Sequence, residues 1–204
     1  MPKWTLDKKT IYHVHIPKTA GSILKFSAQK LGAKIEHFSS GSKPSKVTPQ
    51  HEDFKTLSKK FKLNKNNCFT VIREPWQRTL SAYVWNTGDK DFKNINIWLK
   101  NNLKKVLNDK VLMDNHFLPQ KYFVSDKINV FCFNKLKNLE KWLQDNFTKK
   151  FNIISNDSEG KVRKYKKNID KINLLDKETL KLWHELYDED VALWSQQERK
   201  TYVS

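Results

Sequence analysis

Residues 15–22 carry groups suited to binding a phosphate. The segment reads His-Ile-Pro-Lys-Thr-Ala-Gly-Ser and lies between a strand-like stretch and a stretch with helical spacing. At such a junction, backbone N–H groups and the positive end of the helix point at a ligand. Lys18 adds a mobile charge, and Gly21 permits close backbone approach. Thr19 and Ser22 add hydroxyl donors. The simpler alternative is an ordinary turn with a chance lysine.

A second phosphate site is indicated by Arg73 and Ser81, eight residues apart. Arg73 directly follows the apolar run 68–72, so it should stand at the carboxyl end of a buried strand. A guanidinium can hold a phosphate through two hydrogen bonds. Ser81 falls two turns into the helix that Pro75 opens. We expect Arg78, on the same helix, to have a structural role.

The two segments together resemble the family 2 carbohydrate sulfotransferases of the heparan sulfate 2-O-sulfotransferase type. These enzymes use 3′-phosphoadenosine 5′-phosphosulfate (PAPS) and release the desulfated product PAP. Residues 15–22 resemble the 5′-phosphosulfate loop, and residues 70–83 resemble the 3′-phosphate segment, with Glu74 where Asn or Asp is usual. Weaker likenesses follow at 133–140, where Lys135 and Lys137 depart from the pattern, and at 186–190.

The resemblance implies a fold and a set of binding residues. The fold would be a P-loop NTPase-like three-layer α/β fold, with a central parallel sheet flanked by helices. Lys18 would contact the bridging oxygen at the leaving group. No metal is expected, because the sequence has no close cluster of His, Cys and carboxylate residues and because lysine and backbone donors can neutralise the charge. The cofactor-binding residues would be Pro17, Lys18, Thr19, Ala20, Gly21, Ser22, Arg73 and Ser81.

Sulfuryl transfer also needs a base for the acceptor hydroxyl, and histidine is the usual choice. We predict His51, because it lies near the start of a predicted helix at 48–61, whose positive end would keep the ring neutral. The alternative is a solvated surface histidine, with His37 as the reserve base. His15 is expected to be a packing residue and His184 a structural one.

The acceptor side is indicated by residues 114–120, which resemble the family's Pro-Gln segment. We assign His116 and Gln120 to substrate contact; a capped turn leading into the next strand is the competing interpretation. The basic run 161–167 either closes over the cofactor or is solvated surface. A hydroxyl-bearing saccharide is the expected acceptor.

Alternating strands and helices must position these groups. The patterns predict strands at 11–16, 33–38, 68–72 and 129–133, and a loop at 39–46. Helices are predicted at 22–31, 48–61, 75–86, 92–113 and 136–147, with a last one marked by Leu180, Trp183 and Tyr187. This alternation predicts a parallel sheet covered on both faces, in a single domain over 1–204.

Composition limits the function classes. The chain has 204 residues and a net charge of +17, which favours anionic partners or reflects a Lys-rich proteome. An NTP-dependent kinase is disfavoured because Lys18 precedes the glycine by three residues. A basic nucleic-acid-binding protein and an inactive PAP-binding homologue stay open as alternatives. Two cysteines, no signal peptide and no membrane-length apolar run favour a soluble cytoplasmic protein without a membrane anchor.

Overall fold

The computed structural model describes residues 2–37, 47–108, 113–154 and 172–200. The loop expected at 39–46 and the basic run 161–167 lie outside these ranges. The described strands are β1 (Lys3–Leu6), β2 (Lys9–Val14), β3 (Lys34–Glu36), β4 (Cys68–Ile72) and β5 (Asn129–Cys132). The described α-helices are α1 (Gly21–Lys30), α2 (Phe54–Lys60), α3 (Pro75–Thr87), α4 (Ile95–Asn108), α5 (Leu136–Asn146) and α6 (Lys177–Arg199).

The five strands form one sheet in the order β3-β1-β2-β4-β5. Strands β2, β4 and β5 are parallel, as predicted. The expectation of a wholly parallel sheet is wrong, because β1 pairs antiparallel with both β2 and β3. The physical reason is a two-residue turn in which Asp7 and Lys8 both have positive φ (47° and 68°). Such a turn joins β1 and β2 directly as a hairpin.

Helices cover both faces of the sheet. Strand β4 is buried along its whole length. Its Phe69 and Val71 pack with residues of α1 and α5 on one face, whereas Cys68 and Ile72 pack with residues of α2 and α6 on the other. A further apolar cluster joins α3, α4 and α6. The predicted layering is therefore confirmed. In the described part of the chain, no helix has the length and apolar character to cross a membrane.

The predicted helix at 48–61 is divided in two. A 3-10 turn spans Pro49–His51, and the chain is then extended at Glu52 and Asp53 before α2 begins. The Asp53 carboxylate caps α2 by accepting the Thr56 N–H at 2.7 Å. The prediction that His51 lies at the positive end of an α-helix is therefore wrong.

Two buried histidines lie in strand β2 and directly after it. His13 is 1 % exposed and stacks on Phe69 with ring centroids 4.6 Å apart, and its ring is 5.2 Å from that of His15. His15 is also buried, and each ring has one buried nitrogen without a hydrogen-bond partner. Burial lowers the pKa of His13 to about 3 and holds the pKa of His15 well below its ordinary value.

We expect the protein to lose stability on mild acidification. Because folding lowers the two pKa values, the unfolded chain binds more protons below about pH 6.5, and stability falls as the pH falls. His13 and His15 together contribute roughly 3 kcal/mol to this loss between pH 6.5 and pH 5. Urea unfolding at both pH values measures the loss, and His13→Phe should reduce it by roughly 1.5 kcal/mol. A free energy of unfolding that is flat over this range would contradict the account.

Candidate active site

The two predicted phosphate segments meet at one edge of the sheet. Strands β2 and β4 are parallel neighbours, with Val14 paired to Thr70, so their carboxyl ends lie side by side. The loop at 15–20 follows β2, and Arg73 follows β4. Ligands of α/β sheets bind at this edge, outside the carboxyl ends of the strands.

The backbone of the loop is strained at two positions. Lys18 and Ala20 both have left-handed φ angles (70° and 74°), which cost non-glycine residues about 1–3 kcal/mol each. Helix α1 begins directly after Ala20 without a side-chain cap. The Thr19 hydroxyl donates to the Ile16 carbonyl at 2.8 Å, so it closes the loop and is not the free donor that the sequence predicts. A contribution of Thr19 to binding would pass through its backbone.

Gly21 is required by a side chain of the protein itself. A Cβ atom at this position would lie 1.9 Å from Nε2 of His15. Real Cβ atoms do not approach so closely, so the His15 ring excludes every larger residue here. His15 is thus the packing residue that the sequence predicts, and it holds the start of α1 against the sheet.

Arg73 is a buried cation. It is 4 % exposed, its guanidinium lies 4.6 Å from the Phe133 ring centroid, and Nη1 donates to the Lys18 carbonyl at 3.3 Å. Its Nε is buried without a hydrogen-bond partner, and none of the ion pairs found among the described residues includes Arg73. Burial lowers its pKa to about 10. Because an unpaired buried charge is costly, this position favours an anionic ligand.

Gln120 positions Arg73. Its Oε1 accepts the Arg73 N–H at 2.9 Å, its Nε2 donates to the Arg73 carbonyl at 2.8 Å, and the side chain is fully buried. The buried Asp190 of α6 in turn accepts the N–H groups of Gln120 and Lys121 at 2.7 and 2.9 Å. The predicted acceptor contact of Gln120 is therefore corrected: its amide is engaged with the Arg73 backbone, deep below the surface.

Lys18 stands next to Arg73 and to an exposed aromatic ring. Its Nζ lies 4.1 Å from the ring centroid of Trp85, a residue that is 69 % exposed. Burial and then the charge of Arg73 lower the pKa of Lys18 to about 8. Two adjacent cations with lowered pKa values would both be stabilised by an anion between them.

The remaining residues of the two predicted phosphate segments lie on helix α3, at its N-cap or on α1. Arg78 is buried and donates to the Pro17 carbonyl and to the His116 carbonyl, both at 3.1 Å, so its role is structural, as predicted. Glu74, the departure from the family pattern, caps α3 by accepting the N–H groups of Trp76 and Gln77 at 3.0 and 2.6 Å. Ser81 lies half-buried on α3. Ser22 lies exposed at the second residue of α1.

His51 has a carboxylate partner that the sequence does not predict. The ring is buried, and its Nδ1 lies 2.7 Å from Oδ2 of Asp114. Asp114 falls within the Pro-Gln segment, but a pairing over 63 residues leaves no local pattern. The alternative of a solvated surface histidine is wrong for His51, whereas the reserve candidate His37 is exposed.

His116 lies on the far side of His51, with ring centroids 5.5 Å apart. It is half-buried, and burial, followed by its electrostatic interaction with His51, lowers its pKa to about 3. The ring is therefore neutral near pH 7. It could contact a substrate acceptor through hydrogen bonds, without a charge.

One group of described residues has the types and spacing of a metal site. Ligand atoms of His51, Asp114 and His116 all lie within 4.8 Å of one another. Both Asp114 oxygens, however, already accept hydrogen bonds from Thr48, and one also accepts from His51. A metal ion would have to displace the bond between His51 and Asp114, so the arrangement fits a hydrogen-bonded pair better.

Comparison with known proteins gives one finding. A family model described as the sulfotransferase family matches residues 3–195. The matched stretch runs from β1 into α6 and includes the loop, Arg73 and the pair of His51 and Asp114. No match was found among the curated proteins or the solved structures.

Proposed function

Because this chain belongs to the sulfotransferase family, we propose that it moves a sulfuryl group from PAPS to the hydroxyl of a saccharide acceptor. Family membership supports sulfuryl transfer, and the site supports the donor. The observation that carries the proposal is the unpaired, buried Arg73, whose Nη1 lies 3.3 Å from the Lys18 carbonyl. PAPS bears phosphates on the 3′ and 5′ carbons of one ribose, so two adjacent anion sites suit it.

The residues divide the binding between them. The loop at 17–22 and the start of α1 would hold the 5′-phosphate, as in P-loop NTPase-like folds. Arg73 and Ser81 would hold the 3′-phosphate. The uncapped start of α1 and the unpartnered Nε of Arg73 both fit such a ligand. His116 would contact the acceptor.

Two side chains would carry the chemistry. PAPS, when bound, supplies a sulfuryl group on a phosphate leaving group. His51 takes the proton of the acceptor hydroxyl as its oxygen forms a bond to sulfur. Lys18 stabilises the charge that develops on the departing 5′-phosphate oxygen as the old sulfur–oxygen bond breaks. The products are the sulfated acceptor and PAP.

The proposal is tested by incubating the protein with ³⁵S-labelled PAPS and a panel of acidic saccharides, neutral saccharides and small alcohols. Label should enter one saccharide class and should depend on Lys18. Binding of PAP without label transfer to any acceptor would identify an inactive binding homologue. Transfer only to small alcohols would contradict the saccharide assignment.

A further inference from the structure

Asp114 lies on a strained turn that aims its carboxylate at His51. Three consecutive residues, Met113, Asp114 and Asn115, have left-handed φ angles of 52°, 55° and 60°. Such conformations cost non-glycine residues about 1–3 kcal/mol each and persist where the surroundings enforce them. Here the Asn115 Nδ2 donates to the His51 carbonyl at 2.8 Å. The turn therefore holds the main chain of His51 as well as its ring.

Thr48 also fixes the carboxylate. The Thr48 N–H donates to Oδ1 at 2.6 Å, and its hydroxyl lies 2.9 and 2.8 Å from the two oxygens. Burial acts to raise the pKa of Asp114, but the hydrogen bonds from His51 and Thr48 outweigh it and leave the pKa lowered. Asp114 is thus ionised near neutral pH.

An ionised carboxylate can only accept hydrogen bonds. Since Oδ2 lies 2.7 Å from Nδ1 of His51, that nitrogen must carry the proton. When the ring carries only this one proton, the other nitrogen, Nε2, has a free lone pair. This is the form that a base needs, because a proton can be accepted only at a free lone pair.

We propose that Asp114 is a positioning residue, which fixes His51 in the Nδ1–H form so that Nε2 can take the proton of the acceptor hydroxyl. The inference rests on the proposed function, since it assigns the base of that reaction its orienting partner. The proton passes from the hydroxyl oxygen to Nε2 as the oxygen attacks sulfur, and Asp114 neither gains nor loses one. The carboxylate also faces the developing imidazolium and stabilises its charge.

The test is the variant Asp114→Asn. Asparagine tolerates left-handed backbone and preserves the shape of the turn, but its NH₂ group can donate to Nδ1 and shift the proton to Nε2. We expect kcat to fall by about 10²-fold or more, because a positioned base contributes 10²–10⁴-fold. Acceptor KM and PAP affinity should stay within about twofold. ¹⁵N NMR of the imidazole should report Nδ1–H for His51 in the wild type and Nε2–H in the variant.

The chain offers a matched control. His184 and Asp188 form the same contact, Nδ1 to Oδ1 at 2.7 Å, on the exposed surface of α6. Asp188→Asn should leave kcat unchanged. Absence of transfer activity in the wild type would contradict the proposed function. The NMR measurement would still test the pairing of His51 with Asp114. The inference is wrong if wild-type His51 is in the Nε2–H form, if Asp114→Asn keeps full kcat, or if it loses PAP affinity and stability in step with kcat.

Discussion

Replacement of His51 by asparagine is expected to lower kcat by roughly 10²–10⁴-fold, the usual contribution of a general base. The buried ring lies at hydrogen-bond distance from Asp114, and asparagine can keep that bond while lacking any group that accepts a proton from a hydroxyl. Affinity for PAP should be almost unchanged, because the loop at 17–22 and Arg73 hold the phosphates. Single-turnover transfer from PAPS measures the loss separately from product release.

His184→Asn is the control for this variant, since that histidine is exposed on α6 and pairs with Asp188. It should transfer at the wild-type rate. Near-normal turnover in His51→Asn would remove His51 from the mechanism and leave the neutral His116 as the group to examine next.

Replacement of Lys18 by methionine is expected to slow transfer by about 10²–10³-fold, or 3–4 kcal/mol of barrier, as for loss of an oxyanion donor. Methionine has a similar length and apolar stem, so it can still pack on the exposed Trp85 ring. What disappears is the charge that would stabilise the leaving phosphate. The measurement is kcat with saturating PAPS. The control is Lys55→Met on the exposed surface of α2, which should leave kcat unchanged.

Lys18 also predicts a dependence of binding on pH. In the free protein, burial and Arg73 lower its pKa to about 8. Above that pH the side chain loses its charge, so PAP affinity should decline as the pH rises from 8 to 9. In Lys18→Met this decline should be absent. If Lys18→Met is folded and keeps full turnover, Lys18 does not stabilise the leaving group.

The meeting of the two proposed phosphate segments at one sheet edge could be predicted from sequence because its signals are local. Residues 9–30 contain a strand, a turn and the beginning of a helix. Arg73 directly follows five buried strand residues. Parallel pairing of β2 with β4 then brings the two segments together without further information. Arg78 was likewise predictable as structural, although its two carbonyl partners were not.

Other features depend on contacts that no local pattern records. The hairpin of β1 and β2 turns at Asp7 and Lys8, without the glycine that usually marks positive φ. Asp53 is a helix N-cap inside what looked like one helix, because apolar spacing continues across it. The pairing of Asp114 with His51 and the clamp of Gln120 on Arg73 span 63 and 47 residues. Only the assembled sheet edge brings them together.

Calorimetric titration with PAP, compared with adenosine 5′-monophosphate, tests most directly that two adjacent anion sites hold one nucleotide. PAP should bind at least about tenfold more tightly, because a charged hydrogen bond contributes roughly 1.5–3 kcal/mol. In Arg73→Met the difference should vanish while the protein stays folded, since an apolar replacement of a buried charge is tolerated. Absence of heat with PAP, or equal affinity for the two nucleotides in the wild type, would contradict the account.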